Sequence, residues 1–281
     1  MKNTSVLKLF FAAATIVLSV KCYAGQDGQN EEIYTFGIVP QQSASRLAIK
    51  WGPLLEYIQS VTGVKLSFKT APNIPEFEQR LASGDYDISY MNPYHFTVFN
   101  NSPGYLAFAK VGNKRIKGIF VSRKDSNIKD LQELSGKVLA FPAPAAFAAS
   151  VLPGAELNRR GIKFEPKYVN SHDSVYRGVA LGLFPAGGGI VRTFNLVEPE
   201  VREQLEIIWT SPGYTPHAFA AHPRVPAEVI KQIAEAMIEM SESEKGRRLL
   251  AVLGMKELEP AIGSDWDDVR QLNLERIPGT K

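Results

Sequence analysis

Short β-rich runs alternate with helical patterns along almost the whole chain, and this alternation restricts the fold more than any single motif does. The first helical pattern, at 45–60, has apolar residues at the spacing of one helix face: Leu47, Trp51, Leu54, Leu55 and Ile58. Strand and helix units that alternate in this way predict βαβ connections and a mostly parallel sheet. We therefore expect an α/β fold.

The alternation falls into two blocks. Strands are predicted at 34–39, 65–69, 87–91, 106–111, 118–122, 137–141, 167–170, 205–209 and 217–222, and helices at 45–60, 75–83, 94–100, 146–160, 173–183, 226–243, 244–253 and 265–274. A polar interruption after the fifth strand predicts a second lobe, 123–209, inserted into a first lobe formed by 33–122 and 210–281. Two crossings, near Ser122 and Thr210, would then form the hinge of a cleft between the lobes.

The first 24 residues have the three parts of a secretory signal peptide. Two lysines give a positive start, 9–20 is an apolar run too short to span a bilayer as a helix, and Ala24 ends a small-x-small cleavage site. Cleavage after Ala24 would leave 25–32 as a flexible N-terminal segment and place the protein in the periplasm. Acylation of Cys22 is the disfavoured alternative, because the residue before it is a lysine.

The composition of the mature chain narrows the possible function classes. The full sequence has 32 Lys and Arg against 29 Asp and Glu, but three of the lysines lie in the signal peptide, which has no acid. The mature protein therefore has no net charge, and its composition gives no reason to expect nucleic acid as a partner. Cys22 is the only cysteine, so disulfides, thiolate metal sites and a cysteine nucleophile are excluded from the mature protein.

Two strand ends are the strongest candidates for a ligand site. The strand 87–91 ends at Asn92, and the strand 137–141 ends in two prolines before the helix at 146–160. Ligands of α/β proteins collect at the carboxyl ends of strands. We therefore expect recognition of a ligand at these loops rather than chemistry elsewhere.

Polar and aromatic side chains near these loops are candidate ligand contacts. We expect one or two of Tyr90, Asn92 and Tyr94 to reach the ligand, and Tyr214 is a similar candidate on the hinge side. The run Gln41-Gln42-Ser43, after the first strand, either donates hydrogen bonds to an anion or caps the following helix.

Arg192 follows three glycines, at 187–189, and allows two interpretations. An anion could be held by the amides of a glycine loop together with the guanidinium, or the glycines could form a tight turn with Arg192 at the surface. His172, just before a predicted helix, is either a ligand donor or a helix-entry residue. His217 and His222 are five residues apart on one predicted strand and face opposite sides, so we expect no metal site.

Five short segments carry a family resemblance over nearly the whole mature chain: Phe36-Gly37-Ile38, Gly63-Val64-Lys65, Ala143-Pro144 through Pro153, Ser171-His172 and Trp209-Thr210-Ser211-Pro212. In this order and spacing they resemble the periplasmic solute-binding proteins of the phosphate, phosphite and phosphonate group, which serve ABC transporters. The resemblance implies a two-lobed type II fold with mixed, mostly parallel sheets. It also implies reversible capture of a small solute between closing lobes, with no bond made or broken.

The resemblance implies that the pocket has lost donors. The Ser-Thr-Ser run that holds the oxyanion in phosphonate binders falls on Ala146, Phe147 and Ala148, and two cleft tyrosines fall on Ile74 and Met91. Three hydroxyl donors are therefore absent, and apolar side chains take their place along the wall.

The resemblance also implies a reversal of charge. The histidine of the family is kept as His172, whereas the acidic pair that holds the ligand ammonium falls on Arg192 and His217. An unpaired buried charge costs several kcal/mol, so an aminophosphonate is disfavoured. We expect an organic anion with a hydrophobic or aromatic part, held at one end by Arg192.

The main functional hypothesis is a monomeric solute-binding subunit, without cofactor, that delivers its ligand to the membrane permease of an ABC transporter. The alternative is a ligand-sensing subunit that docks on a membrane signalling protein and uses the same cleft. An enzyme is disfavoured, because the sequence has no nucleophile and base pair at a recognisable spacing and the resemblance implies no catalytic residue.

Overall fold

The structure is a computed structural model that describes residues 32–272 and Leu274. The predicted signal peptide, with Cys22 and the cleavage site at Ala24, lies outside the described residues, as does most of the segment 25–32. Among the helices of the described part, none combines the length and the apolar character needed to cross a bilayer.

The described residues form eleven strands and ten α-helices. The strands are β1 (Ile33–Ile38), β2 (Lys65–Lys69), β3 (Ile88–Met91), β4 (Leu106–Val111), β5 (Gly118–Arg123), β6 (Val138–Phe141), β7 (Glu165–Tyr168), β8 (Ala186–Ile190), β9 (Leu205–Thr210), β10 (Ala218–Ala221) and β11 (Leu258–Pro260). The helices are α1 (Ala44–Thr62), α2 (Ile74–Ala82), α3 (Pro93–Phe99), α4 (Leu152–Arg159), α5 (His172–Ala180), α6 (Val191–Leu196), α7 (Pro199–Arg202), α8 (Ala227–Ile238), α9 (Glu244–Val252) and α10 (Asp267–Arg270). A π-helical turn, Phe147–Val151, leads into α4.

Helix α1 buries the face that its sequence pattern predicts, with these residues inside: Leu47, Trp51, Leu54, Leu55 and Ile58. It ends at Gly63, whose φ of 75° lies in the left-handed region that glycine adopts at low cost. Helix α2 begins after Asn73, whose side-chain oxygen accepts a hydrogen bond from the N–H of Glu76 at 2.9 Å. Local sequence signals therefore define these two helices well.

The strands form two sheets, which define two lobes. The six-stranded sheet of the first lobe has the order β11-β4-β10-β3-β1-β2, and the five-stranded sheet of the second lobe has the order β7-β6-β8-β5-β9. Of the nine strand pairings among the described residues, four are parallel and five are antiparallel. Both sheets are therefore mixed, without the expected excess of parallel pairs, because β4, β5 and β10 run against their neighbours.

Strand β5 belongs to the second lobe, since it pairs with β8 and β9. The sequence pattern predicts this strand in the first lobe, with the crossing near Ser122, and that assignment is wrong. The chain instead crosses at 112–117 and returns at 211–217, after β9 has ended at Thr210. These two linkers are joined by an antiparallel bridge between Ile116 and Tyr214, whose backbone N···O distances are 2.8 and 3.0 Å.

Strand β8 contains the three glycines, which neither turn nor form a loop. Each glycine is buried in the middle of the sheet, where an added Cβ atom would collide with a neighbour. At Gly188 it would lie 2.0 Å from the carbonyl oxygen of Ala149, and at Gly189 it would lie 2.3 Å from the hydroxyl of Tyr176. Both interpretations in the sequence analysis were wrong about the glycines, because a glycine run signals a turn and a close approach equally well.

Aromatic packing supports the first-lobe side of the cleft. The ring centroid of Tyr90, at the end of β3, lies 4.9 Å from that of Trp51 on α1 and 4.8 Å from that of Phe219 on β10. All three side chains are buried. The position of Tyr90 is therefore determined by the core beneath it.

Candidate functional site

The cleft between the lobes is built from segments that follow strands of both sheets. Gln41 follows β1, Asn92 follows β3, Ala146 follows β6 and Arg192 follows β8. Side chains from the carboxyl ends of these strands meet across the gap, as expected for an α/β ligand site.

Gln41 makes three hydrogen bonds, and two of them connect the two lobes. Its side-chain oxygen accepts from the guanidinium of Arg192, and its backbone carbonyl accepts from the N–H of His172 at 3.0 Å. Its Nε2 lies 2.9 Å from Nε2 of His217. Since a guanidinium only donates, the Gln41 oxygen is the acceptor, and its NH2 group must donate to an unprotonated Nε2 of His217.

His217 is a neutral imidazole at the centre of the cleft. Its ring stacks on Tyr90, with centroids 4.9 Å apart and planes at 17°. Burial, together with the positive charge of Arg192, holds the pKa of His217 well below its ordinary value. His217 therefore accepts a hydrogen bond from Gln41 and does not act as a cation.

His172 is also neutral and lies at the first residue of α5. Its Nδ1 is 2.9 Å from the hydroxyl of Thr193, and its side chain is buried. Burial first, and the charge of Arg192 second, lower the pKa of His172 to about 3. Its backbone N–H contacts Gln41, so His172 joins the lobes at the helix entry, and its role as a ligand donor stays a prediction.

Arg192 has only neutral partners among the described residues. Besides Gln41, its guanidinium donates to the carbonyl oxygen of Leu253 at 3.3 Å, and its Cζ lies 5.8 Å from the centroid of the Tyr90 ring. The side chain lies at the first turn of α6, partly buried and inside the cleft rather than at the surface. No carboxylate of the described chain pairs with it.

The segment where the resemblance places hydroxyl donors is an apolar contact between lobes. Ala146, Phe147 and Ala148 open the π-helical turn, and all three are buried. The ring of Phe147 packs edge to face on Tyr214 of the second linker, with centroids 5.5 Å apart. We call this segment, Ala146–Ala148, the cradle. The free space at the cradle is about 10 Å³, which is just enough for a single water molecule. Ile74 from the opposite lobe helps to close it.

A larger cavity of about 410 Å³ lies beside the cradle, against the first linker. We call it the linker cavity. Its basic wall consists of Lys114, Arg115, Lys117 and Arg192, and its apolar wall includes Val111, Ile116, Ile190, Leu196 and Pro216, with Tyr90 and His217 between the two. Among the described residues that line it there is no carboxylate.

Asn92 and Gln42 connect the lobes by hydrogen bonds. The side-chain oxygen of Asn92 accepts from the N–H of His95 at 2.8 Å and caps α3, while its Nδ2 donates to the carbonyl of Ala145 at 3.2 Å. The Nε2 of Gln42 donates to Asp173 at 3.3 Å, so Gln42 does not cap α1. Both residues lie at the cleft, where their polar groups already have protein partners.

Two predicted contacts lie away from the cavities of the cleft. Met91 is fully buried in the core of the first lobe. Tyr94 lines a separate open groove beside Phe141 and Tyr168. The basic residues of the first linker were not predicted as site residues, because the predicted crossing between the lobes, near Ser122, lies after them in the chain.

Two α/β lobes joined by two linkers, with polar residues of both lobes meeting at strand ends, define the class of type II periplasmic binding proteins. The family model for the periplasmic substrate-binding protein of the phosphonate ABC transporter matches residues 36–266, and the chain belongs to this family.

Individual relatives agree with this assignment. The chain is 22% identical over 273 residues to the phosphate-import protein PhnD of Mycolicibacterium smegmatis, covering 83% of this chain and 82% of that protein. A binding protein component of an ABC phosphonate transporter from Pseudomonas aeruginosa has a TM-score of 0.79 at 17% identity, covering 87% of this chain and 86% of that one. PhnD1 from Prochlorococcus marinus, in complex with methylphosphonate, has a TM-score of 0.77 at 20% identity, covering 87% and 99%.

The family assignment confirms several expectations. The matching family model describes a substrate-binding protein of an ABC transporter, so the expected binding role, rather than an enzymatic one, is confirmed. Binding proteins of this kind work with membrane permease components, and the family implies a periplasmic location.

Proposed function

We propose that this protein captures a small organic anion in its interlobe cleft and delivers it to the permease of an ABC transporter. The observation that carries the proposal is Arg192, a partly buried guanidinium without a carboxylate partner among the described residues. An anionic ligand would supply the missing counter-charge through charge-assisted hydrogen bonds.

The same site argues against an aminophosphonate as ligand. An ammonium group would meet Arg192 at close range, where like charges repel strongly in a partly desolvated site. The cradle also has no hydroxyl to offer a phosphonate, since alanines flank Phe147 there. Charge and donor set therefore point to one class, an organic acid with an apolar body.

A melting-shift screen tests the proposal. Protein isolated from the periplasm is titrated with organic acids such as benzoate and phenylacetate, and with aminoethylphosphonate. A fitting ligand at about one hundred times its Kd stabilises the fold by about 2.7 kcal/mol. We expect such a shift for an organic acid and none for aminoethylphosphonate.

Two matched charge reversals sharpen the screen. Arg192→Glu should abolish the shift, because it places a carboxylate against the ligand's own charge. Arg202→Glu, on the exposed surface of α7, is the control and should keep it. Tight binding of aminoethylphosphonate, or a normal ligand shift in Arg192→Glu, would overturn the proposal.

Delivery to a permease is separated from sensing by uptake. Cells that lack this protein should fail to accumulate the labelled ligand, whereas a purely sensory subunit would leave uptake intact. Closure of the lobes about the two linkers should also reduce the radius of gyration in small-angle scattering with the identified ligand.

A further inference from the structure

We propose that the ligand of this protein binds in the linker cavity, between Arg192 and the lysines of the first linker, and not at the helix N-terminal cradle of Ala146–Ala148. This inference rests on the proposed function, because it places the organic anion. The ligand would then lie nearer to the linkers than the segment Ala146–Ala148, where the resemblance places the phosphonate.

The cradle has little free space for a ligand. About 10 Å³ remain there, while the linker cavity has about 410 Å³. The cradle is filled by the ring of Phe147, which is only 1% exposed and packs on Tyr214. Ligand pockets for organic molecules occupy about 300–1,000 Å³, so of these two sites only the linker cavity has the size of one.

The linker cavity is lined by an excess of positive charge. Arg115 is neutralised by Asp268, 2.5 Å away. Lys114 donates only to the carbonyl oxygen of Gly254, at 3.2 Å, and Lys117 has neither a hydrogen bond nor an ion pair within the described chain. With Arg192, these lysines leave three positive charges around the cavity without a carboxylate, and an anion is the complementary occupant.

The wall of the linker cavity opposite the basic side chains is apolar. Ile116 and Ile190 are buried, and Leu196 and Pro216 extend the same surface. A ligand whose carboxylate lies against the basic side chains would bury its hydrocarbon part here, a gain of about 25 cal/mol per Å² of apolar surface. A small inorganic anion would leave this wall unused. The cavity therefore fits an aromatic or branched carboxylate.

Photolabelling of the whole mature protein with para-azidobenzoate locates the site. The probe has a carboxylate and an aromatic ring, and light converts its azide into a group that inserts into nearby bonds. Peptide mapping should find the label in 111–117 or 190–196, and excess benzoate should suppress it. Labelling confined to 145–149 would overturn the inference and leave the proposed function standing. No saturable labelling and no melting shift with any organic acid would overturn both.

A pair of lysine reversals gives an independent measurement. Lys117→Glu should weaken the binding of para-azidobenzoate in the dark by at least about tenfold, because a carboxylate replaces a cation at the cavity wall. Lys163→Glu, exposed before β7, makes the same change of net charge away from the cavity and should leave the affinity unchanged. Equal affinities in the two variants would count against the linker cavity.

Discussion

The buried, neutral state of His172 predicts a loss of stability in mild acid. In the folded protein its pKa is lowered to about 3 from an ordinary value of 6.5, so an unfolded chain binds the proton where the folded protein does not. The contribution of His172 to the free energy of unfolding therefore rises with pH between these two values and is constant above them. A pH of about 5 is about 1.5 units below the unfolded-state pKa of His172. At that pH the folded protein should therefore have lost about 2 kcal/mol of stability relative to neutral pH.

Urea unfolding of the wild type and of His172→Asn, at about pH 5 and about pH 7.5, measures this contribution. The wild type should lose about 2 kcal/mol more than His172→Asn on acidification, because asparagine does not titrate. His222→Asn is the control. Burial and then Arg224 lower the pKa of His222 too, but its ring is partly exposed, so this variant should keep most of the pH dependence of the wild type. Equal losses in the wild type and in His172→Asn would show that His172 is protonated in the folded state and would refute the argument.

Three further predictions concern the cradle and export. Phe147→Ala should lower the free energy of unfolding by about 3–5 kcal/mol, since it empties a fully packed contact between lobes, and an unchanged urea midpoint would contradict this. Adding Ala146→Ser and Ala148→Ser to that variant should produce a melting shift with methylphosphonate that the wild type lacks, and no gain would argue against the alignment of the cradle. The intact mass of the periplasmic protein should match a chain beginning at Gly25; a lipid-modified Cys22 would contradict the signal assignment.

Periodic patterns allowed some elements to be predicted well from the sequence. The buried face of α1 follows from apolar spacing alone, because its apolar residues recur at the spacing that places them on one side of the helix. Strand β5 could be recognised as a strand but not assigned to a sheet, since an apolar run does not specify its partner. Strand β8 was missed altogether, because glycines have no side chain from which a strand pattern could be read.

The site was predictable in part. Arg192 and His217 were expected at the cleft from the resemblance, and the structure brings them together there. Gln41 was expected to contact an anion or to cap α1, but its bonds to Arg192, His172 and His217 could not be derived, because these partners come from different parts of the chain. The linker cavity depends on where the chain crosses between the lobes. The predicted crossing, near Ser122, lies a few residues after the observed one at 112–117. Lys114 and Lys117 were therefore not expected at a cavity wall.

The glycines of β8 have a consequence for mutational tolerance. Every replacement of glycine by another amino acid introduces a Cβ atom, and at Gly187, Gly188 and Gly189 that atom would lie within 2.4 Å of another atom. A saturation scan should therefore show three adjacent positions that accept no substitution, as in a binding motif. Their intolerance would arise from the close packing of α5 and the π-helical turn against the sheet. The exposed lysines that line the linker cavity would instead accept many residues and lose only the ligand.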